Sequence, residues 1–340
     1  MFLPIILIDR YGWAGFFMFA VPNVVGCTAF GYVLRTPERS QELVEKYRGA
    51  LASFAVITIA FHAFFLAIVA RYFISDIPSW WMIALPALVL LSGSLLSLLP
   101  NRMWPILAAA VWLLSVGIGI SFWPGAIDVE AAQTHPWQDV VWLLPITTFG
   151  FFLCPYLDPT FHRALQSSPS KHSFGVFGLT FTVMIGLTCM YRDAMLAGLS
   201  VLILVHIFSQ ATFTVGTHIR EGWLCEIKNR RALFVVGAIF ACAIAITIAH
   251  RSHESLLGMT DDYLRFFVFY GLVFPGLVAA FILTKRKFSP LRIALFTIVA
   301  LICMPLLEAG YIGNSAWLSI LPVVAFVTWA FADQLDPRSS

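Results

Sequence analysis

Charge is what this sequence has least of. Asp, Glu, Lys and Arg make up 11% of its 340 residues, against roughly 25% in a soluble domain, so an ordinary water-facing globular surface is excluded. The net charge of +3 is small and spread over many loops, which leaves no patch for nucleic acid. The six cysteines (Cys27, Cys154, Cys189, Cys225, Cys242 and Cys303) form no CxxC pair and mostly lie inside apolar runs. They read as small packing residues, which argues against a disulfide frame or a zinc site. A Walker loop, a GxSxG elbow and a kinase signature are also missing, so an enzyme is not expected and an ATP-driven machine would need a separate subunit. The N-terminus has a short apolar stretch, Phe2 to Ile8, then Asp9 and Arg10. Without a basic leader or a clear cleavage site it does not read as a signal peptide, and insertion falls to the first true span.

What the chain has in abundance is apolar sequence: 60% of residues, with a mean hydropathy of +0.86. It comes in runs of near-bilayer length separated by short polar breaks, a pattern that needs lipid as solvent. Helices are predicted near 11–34, 50–73, 79–99, 103–123, 139–156, 172–191, 194–216, 232–250, 263–284, 289–307 and 314–333. Each can cover the hydrocarbon layer, for which about 20 residues suffice. The fold class is therefore all-α: a polytopic membrane bundle of about eleven transmembrane helices, taken as a single domain over 1–340.

Loop charge gives this count a direction. Taking the loops alternately, sixteen lysines and arginines fall on one side, and Arg10, Arg71, Arg192, Arg251 and Arg265 on the other. The positive-inside rule then places the N-terminus outside and the C-terminus in the cytoplasm, with a cell (inner) membrane as the expected location. The longest external loop, 124–138, has no Lys or Arg and is too short to fold alone. On the inner side, Thr36-Pro37 reads as an N-cap with a first-turn proline. It would start a charged surface helix, Glu38 to Arg48, that runs into the second span. Asp158-Pro159 repeats the device before Phe161, His162, Arg163 and Ala164.

Polar and helix-breaking residues inside spans are informative, because they cost free energy unless they face protein or water. Three places qualify. Val21-Pro22-Asn23 lies mid-way along the first span, with Gly26 and Gly31 beyond. It reads as a kinked helix packed through small residues, with Asn23 facing a site as the alternative. Leu144-Pro145-Ile146-Thr147-Thr148-Phe149-Gly150 suits a broken fifth helix whose freed carbonyls hold a small polar solute or an ion. The competing reading has both threonines bonding back to carbonyls one turn earlier. In the seventh span His206, Gln210 and Thr217 share one face, while Ser209, Thr212 and Gly216 lie on the adjoining one. A water-filled cavity and interhelical hydrogen bonding both account for that stripe.

Weaker candidates remain. His62 and His206 lie within spans, but no paired histidine spacing repeats across two helices, so haem is not expected. His250-Arg251-Ser252-His253-Glu254 lacks the HExxH order and reads as a solvated loop. Glu308, at the outer end of the tenth span, reads as a residue snorkelling to the interface, with a gate or proton site as the alternative.

Phe149-Gly150-Phe151-Phe152, followed by Asp158 and Phe161-His162-Arg163-Ala164-Leu165-Gln166-Ser167-Ser168, resembles a segment of sodium:solute symporters. There a broken helix ends inside and runs into a Gln-Arg-x-Leu-Ala-like stretch; here His162 replaces the glutamine. Members of the broader amino acid–polyamine–organocation superfamily share the LeuT-type fold. If the fifth span corresponds to their broken sixth helix, the first corresponds to their second and the seventh to their eighth. The resemblance thus implies a LeuT-like fold lacking the first helix: either the chain start is truncated, another subunit or lipid fills the gap, or transport has been lost. It also implies ion contacts from Ser209, Thr212 and neighbouring groups such as Gln210.

Two functions are expected from this reading. The first is a secondary transporter moving a small polar solute coupled to Na⁺ or H⁺, with Asn23, Thr147, Thr148 and Gly150 at the solute and Ser209, Gln210 and Thr212 at the ion. No resident metal and no cofactor beyond a coupling Na⁺ is implied. The second is a non-transporting scaffold or sensor on a transporter-like fold, presenting the basic surface around Lys228, Arg230, Arg231, Lys285 and Lys287.

Overall fold

A computed structural model describes residues 2–72, 78–122, 134–168, 170, 172–189, 200–226, 228–251, 256–313 and 315–335. Arg192, Lys171, Arg338, the segment Ser252-His253-Glu254 and most of the 124–138 loop lie outside the described residues. In chain order the helices are α1 (Leu3–Leu34), α2 (Pro37–Tyr72), α3 (Trp81–Ser97), α4 (Trp104–Ser121), α5 (Asp139–Leu153), α6 (Pro159–Gln166), α7 (Ser173–Thr188), α8 (Val201–Cys225), α9 (Arg231–Arg251), α10 (Leu256–Phe266), α11 (Phe274–Leu277), α12 (Pro290–Tyr311) and α13 (Ile320–Leu335). The described residues contain no strand. Among the described residues, eight helices are long and apolar enough to cross a membrane, and Trp81–Ser97, Ser173–Thr188 and Ala316–Ala332 are shorter apolar helices.

The chain divides into two compact units: one is built mainly from 34–128 and 158–262, the other from 3–33, 129–157 and 263–340. In the first, α2 is the central helix and packs against α3, α8 and α9. Its start follows local chemistry: Thr36 Oγ1 accepts from the Arg39 amide at 3.4 Å, and Pro37 takes the first helical position, where no N–H is needed. The charged stretch ends at Tyr47, whose φ of −119° and ψ of 27° kink the helix. Beyond the kink Leu51, Ala55, Phe64, Ala67, Ile68 and Val69 have no exposed surface. Between α3 and α8 the backbones meet through glycine, since a Cβ on Gly93 would lie 2.7 Å from Val215 Cγ1 and one on Gly216 would lie 3.1 Å from the Gly93 carbonyl. Such contacts hold helices together in lipid by packing, because lipid tails remove most of the hydrophobic drive.

In the second unit α1 is broken at Gly12, with φ 64° and ψ −152°. That region is essentially closed to residues with a Cβ. The chain turns back there, so that Gly15 abuts the Leu7 carbonyl; along a straight helix residues eight apart would be about 12 Å apart. The short arm Leu3–Tyr11 is a buried half-helix. Pro22, where the sequence places the kink, lies in helical backbone; Gly12 alone within α1 departs from it.

The rest of α1 packs on α5: Gly26 against the Phe151 carbonyl, and Phe19 edge-on to Phe151 at 5.2 Å between ring centres. The expected break in the fifth span is absent. The helix continues through Pro145, Thr147, Thr148 and Gly150 and tightens only at Cys154–Tyr156. Irregularity falls instead between α10 and α12, where the wide turns Phe269–Val273 and Val278–Leu283 flank α11. Pro275 has no N–H to offer the Gly271 carbonyl and crowds it, which favours a widened turn at that point.

Candidate functional site

Two polar clusters stand out from the apolar packing, one in each unit. The cluster in the second unit forms at the break in α1. Arg10, 6% exposed, donates from Nη1 to the Tyr311 carbonyl at 3.3 Å. The Tyr311 hydroxyl lies 2.7 Å from Thr147 Oγ1, which also bonds the Leu143 carbonyl at 2.8 Å. Since the Thr147 proton goes to Leu143, the Tyr311 O–H donates to Thr147. The carbonyls ending the half-helix are satisfied by the chain entering α5: Thr134 N–H to Asp9 at 3.3 Å and His135 N–H to Arg10 at 2.8 Å. The His135 ring lies 5.3 Å from that of Tyr11. A helix end, a buried guanidinium and two hydroxyls from α5 and α12 thus converge.

The other predicted residues of this group have plainer surroundings. Asn23 is buried and its Oδ1 accepts from Cys27 Sγ at 3.4 Å. Thr148 is half-buried on α5. Gly150 is a close-approach residue, for a Cβ there would stand 2.7 Å from the Tyr270 carbonyl. That carbonyl, in the widened turn, also accepts from Cys154 Sγ at 3.1 Å.

The three predicted ion contacts lie on α8, in the first unit. Gln210 donates to Ser115 Oγ of α4 at 2.7 Å. Ser209 bonds back to the His206 carbonyl at 3.0 Å, and Thr217 does the same to Thr214 at 2.8 Å. Thr212 Oγ1 is buried with no hydrogen-bond partner among the described residues. Gln210 therefore bonds a neighbouring helix while Ser209 and Thr217 bond within α8, and Gly216 lets α3 approach.

The second cluster was not foreseen as a site. It gathers at the end of the first unit where α2 begins, α6 lies and α8 ends. Asp158 Oδ1 caps α6 by accepting from the Thr160 amide at 2.8 Å, with Pro159 in the first turn, as the sequence implies. His162 is 1% exposed, and its Nδ1 lies 2.8 Å from Ser40 Oγ, which also accepts from Gln166 Nε2 at 3.1 Å. Arg163 Nε donates to Glu221 Oε2 at 2.8 Å, and Arg220 Nε lies 3.4 Å from the other oxygen. Arg220 also reaches the Leu99 carbonyl and Asn101 at the turn between α3 and α4. Beside these contacts lies an open cavity of about 190 Å³ lined by Gln41, Glu45, Arg48, His162, Arg163, Gln166, Glu221 and Cys225, among others.

No family model, curated protein or solved structure matches this chain.

Among the described residues no three His, Cys, Asp or Glu gather as a metal-binding group. Chemically, the first cluster offers a fixed positive charge beside hydroxyls inside an apolar unit. The second offers a polar chamber with side chains of both signs. The signals that could have pointed to them were modest: a charge just before a glycine at Arg10–Gly12, and the repeated cap-plus-proline device that brings α2 and α6 to their starts.

Proposed function

We propose that this chain is an integral membrane protein of about eleven crossings, N-terminus outside, acting as a secondary transporter that moves a small polar solute coupled to Na⁺ or H⁺. The observation that carries the reading is the break at Gly12: a buried half-helix ends there beside Arg10, which is joined through Tyr311 to Thr147. Discontinuous helices with polar groups at the break are how transporters of this kind build solute sites. A guanidinium buried in an apolar unit is costly and therefore rare, and such residues mark solute and ion paths. Thr147 keeps its proposed place at the solute, now with Arg10 and Tyr311 beside it. Asn23, Thr148 and Gly150 keep theirs, while Ser209, Gln210 and Thr212 remain the proposed ion contacts. The LeuT-like fold is part of this proposal.

A second reading, a non-transporting scaffold or sensor, is favoured by one specific observation. The hydroxyls of Thr147, Ser209 and Thr217 and the Gln210 amide nitrogen all donate within the protein. Uptake of a broad panel of radiolabelled polar solutes into reconstituted vesicles, with an imposed Na⁺ or H⁺ gradient, separates the two. Gradient-dependent accumulation of one solute class supports transport; none across the panel favours the scaffold.

A further inference from the structure

The chamber in the first unit is not used by the transport reading, and its lining has a charge pattern of its own. Glu221 is the buried acid, and Arg220 Nε, 3.4 Å from its Oε1, already counters its charge. Arg163 meets Glu221 through Nε alone, so both its Nη groups are uncommitted among the described residues; its side chain is 43% exposed. Arg48 on α2 is 38% exposed, and its ion pair there, to Glu45, is stretched to 4.0 Å; Glu45 itself is 69% exposed. Two guanidinium forks therefore line one cavity with two carboxylates and the amides of Gln41 and Gln166, and Arg220, behind Glu221, tips the local balance by one positive charge. The volume of about 190 Å³ is many times the ~10–15 Å³ that a cavity needs to hold one water, room for a tetrahedral oxyanion with part of its hydration. Planar forks of this kind match phosphate oxygens two at a time.

We infer that this chamber is a phosphate-binding site, in which the Nη groups of Arg48 and Arg163 hold the oxygens of a phosphate group while Glu221, held by Arg220, keeps Arg163 in place. Two sources present that chemistry: the head group of an anionic phospholipid, for which basic pockets between helices at the membrane surface are suited, and a free phosphate ion. The inference does not rest on transport.

The test uses the full-length protein in phosphatidylcholine nanodiscs. One arm adds phosphatidylglycerol and counts retained lipids by native mass spectrometry; the other titrates inorganic phosphate by calorimetry. The expected result is saturable binding in at least one arm, and which arm responds identifies the source. Binding should weaken at least tenfold in Arg48→Gln, less in Arg48→Lys, which keeps the charge but loses the fork, and not at all in Lys228→Gln, an exposed basic residue outside the chamber. Arg48 has no hydrogen bond among the described residues, so its loss leaves the packing intact; a thermal unfolding curve checks this. Arg163→Gln serves as the second variant and should also weaken binding at least tenfold. Absence of saturable binding in both arms, or equal binding by Arg48→Gln and the unaltered protein, overturns the inference.

Discussion

Thr147 on α5 and Tyr311 at the end of α12, 164 positions apart in the chain, share a hydrogen bond of 2.7 Å. The same Tyr311 accepts from Arg10 through its carbonyl, so one residue links the broken first helix to the fifth. Replacing Thr147 by Val keeps its shape and leaves the Tyr311 hydroxyl without its acceptor. Interhelical hydrogen bonds in membrane proteins average about 0.6 kcal/mol, and a double-mutant cycle of Thr147→Val with Tyr311→Phe should return a coupling of that order. Unfolding in detergent measures it; additive effects would show that the two hydroxyls do not interact.

The turn at Gly12 should tolerate nothing larger. Its φ of 64° with ψ of −152° costs a residue with a Cβ about 1–3 kcal/mol. Gly12→Ala should lower thermal stability by that amount, while Gly117→Ala, where a Cβ meets nothing within 4 Å, should be neutral or slightly stabilising. Equal effects at the two positions would argue against the break.

Glu221 is shared by two arginines, Arg163 and Arg220. Removing one side of a buried ion pair costs about 3–5 kcal/mol, and the half-exposed Arg163 brings the figure for Glu221→Gln toward the lower end. Arg163→Gln should cost less, since Arg220 still faces the carboxylate. Chemical denaturation of the two variants gives the order directly; a larger loss for Arg163→Gln would contradict the arrangement.

The sidedness drawn from loop charge can be read with impermeant maleimide on intact cells. All six native cysteines are buried, so labelling of the unaltered chain should be low. A cysteine at the exposed position Trp137 should react from outside, and one at Glu38 or Lys228 only after the membrane is opened. Reversed labelling would invert the topology.

Much of the helix pattern was legible because long apolar runs and capping chemistry are local. Each of the eleven expected segments carries a helix, and Thr36-Pro37 and Asp158-Pro159 start helices as their chemistry dictates. The half-helix Leu3–Tyr11 was missed because nine residues are too few to signal a span, and its burial depends on a turn that only Gly12 permits. The break expected at Pro145–Gly150 was misplaced for a related reason. A proline and a glycine read locally as helix breakers, but Gly150 is there so that the Tyr270 carbonyl can come close. The chamber of Arg48, Arg163 and Glu221 depends on pairings across long sequence separations, with Ser40 and His162 122 positions apart, and no local pattern encodes those.

The decisive measurement on the transport reading is accumulation of solute by proteoliposomes holding the unaltered protein or Arg10→Gln, with and without an ionophore that collapses the driving gradient. Accumulation that the ionophore abolishes, and that falls at least tenfold in Arg10→Gln while the variant stays folded, is the expected result. Equal solute levels with and without the gradient, for every solute in the panel, would contradict it.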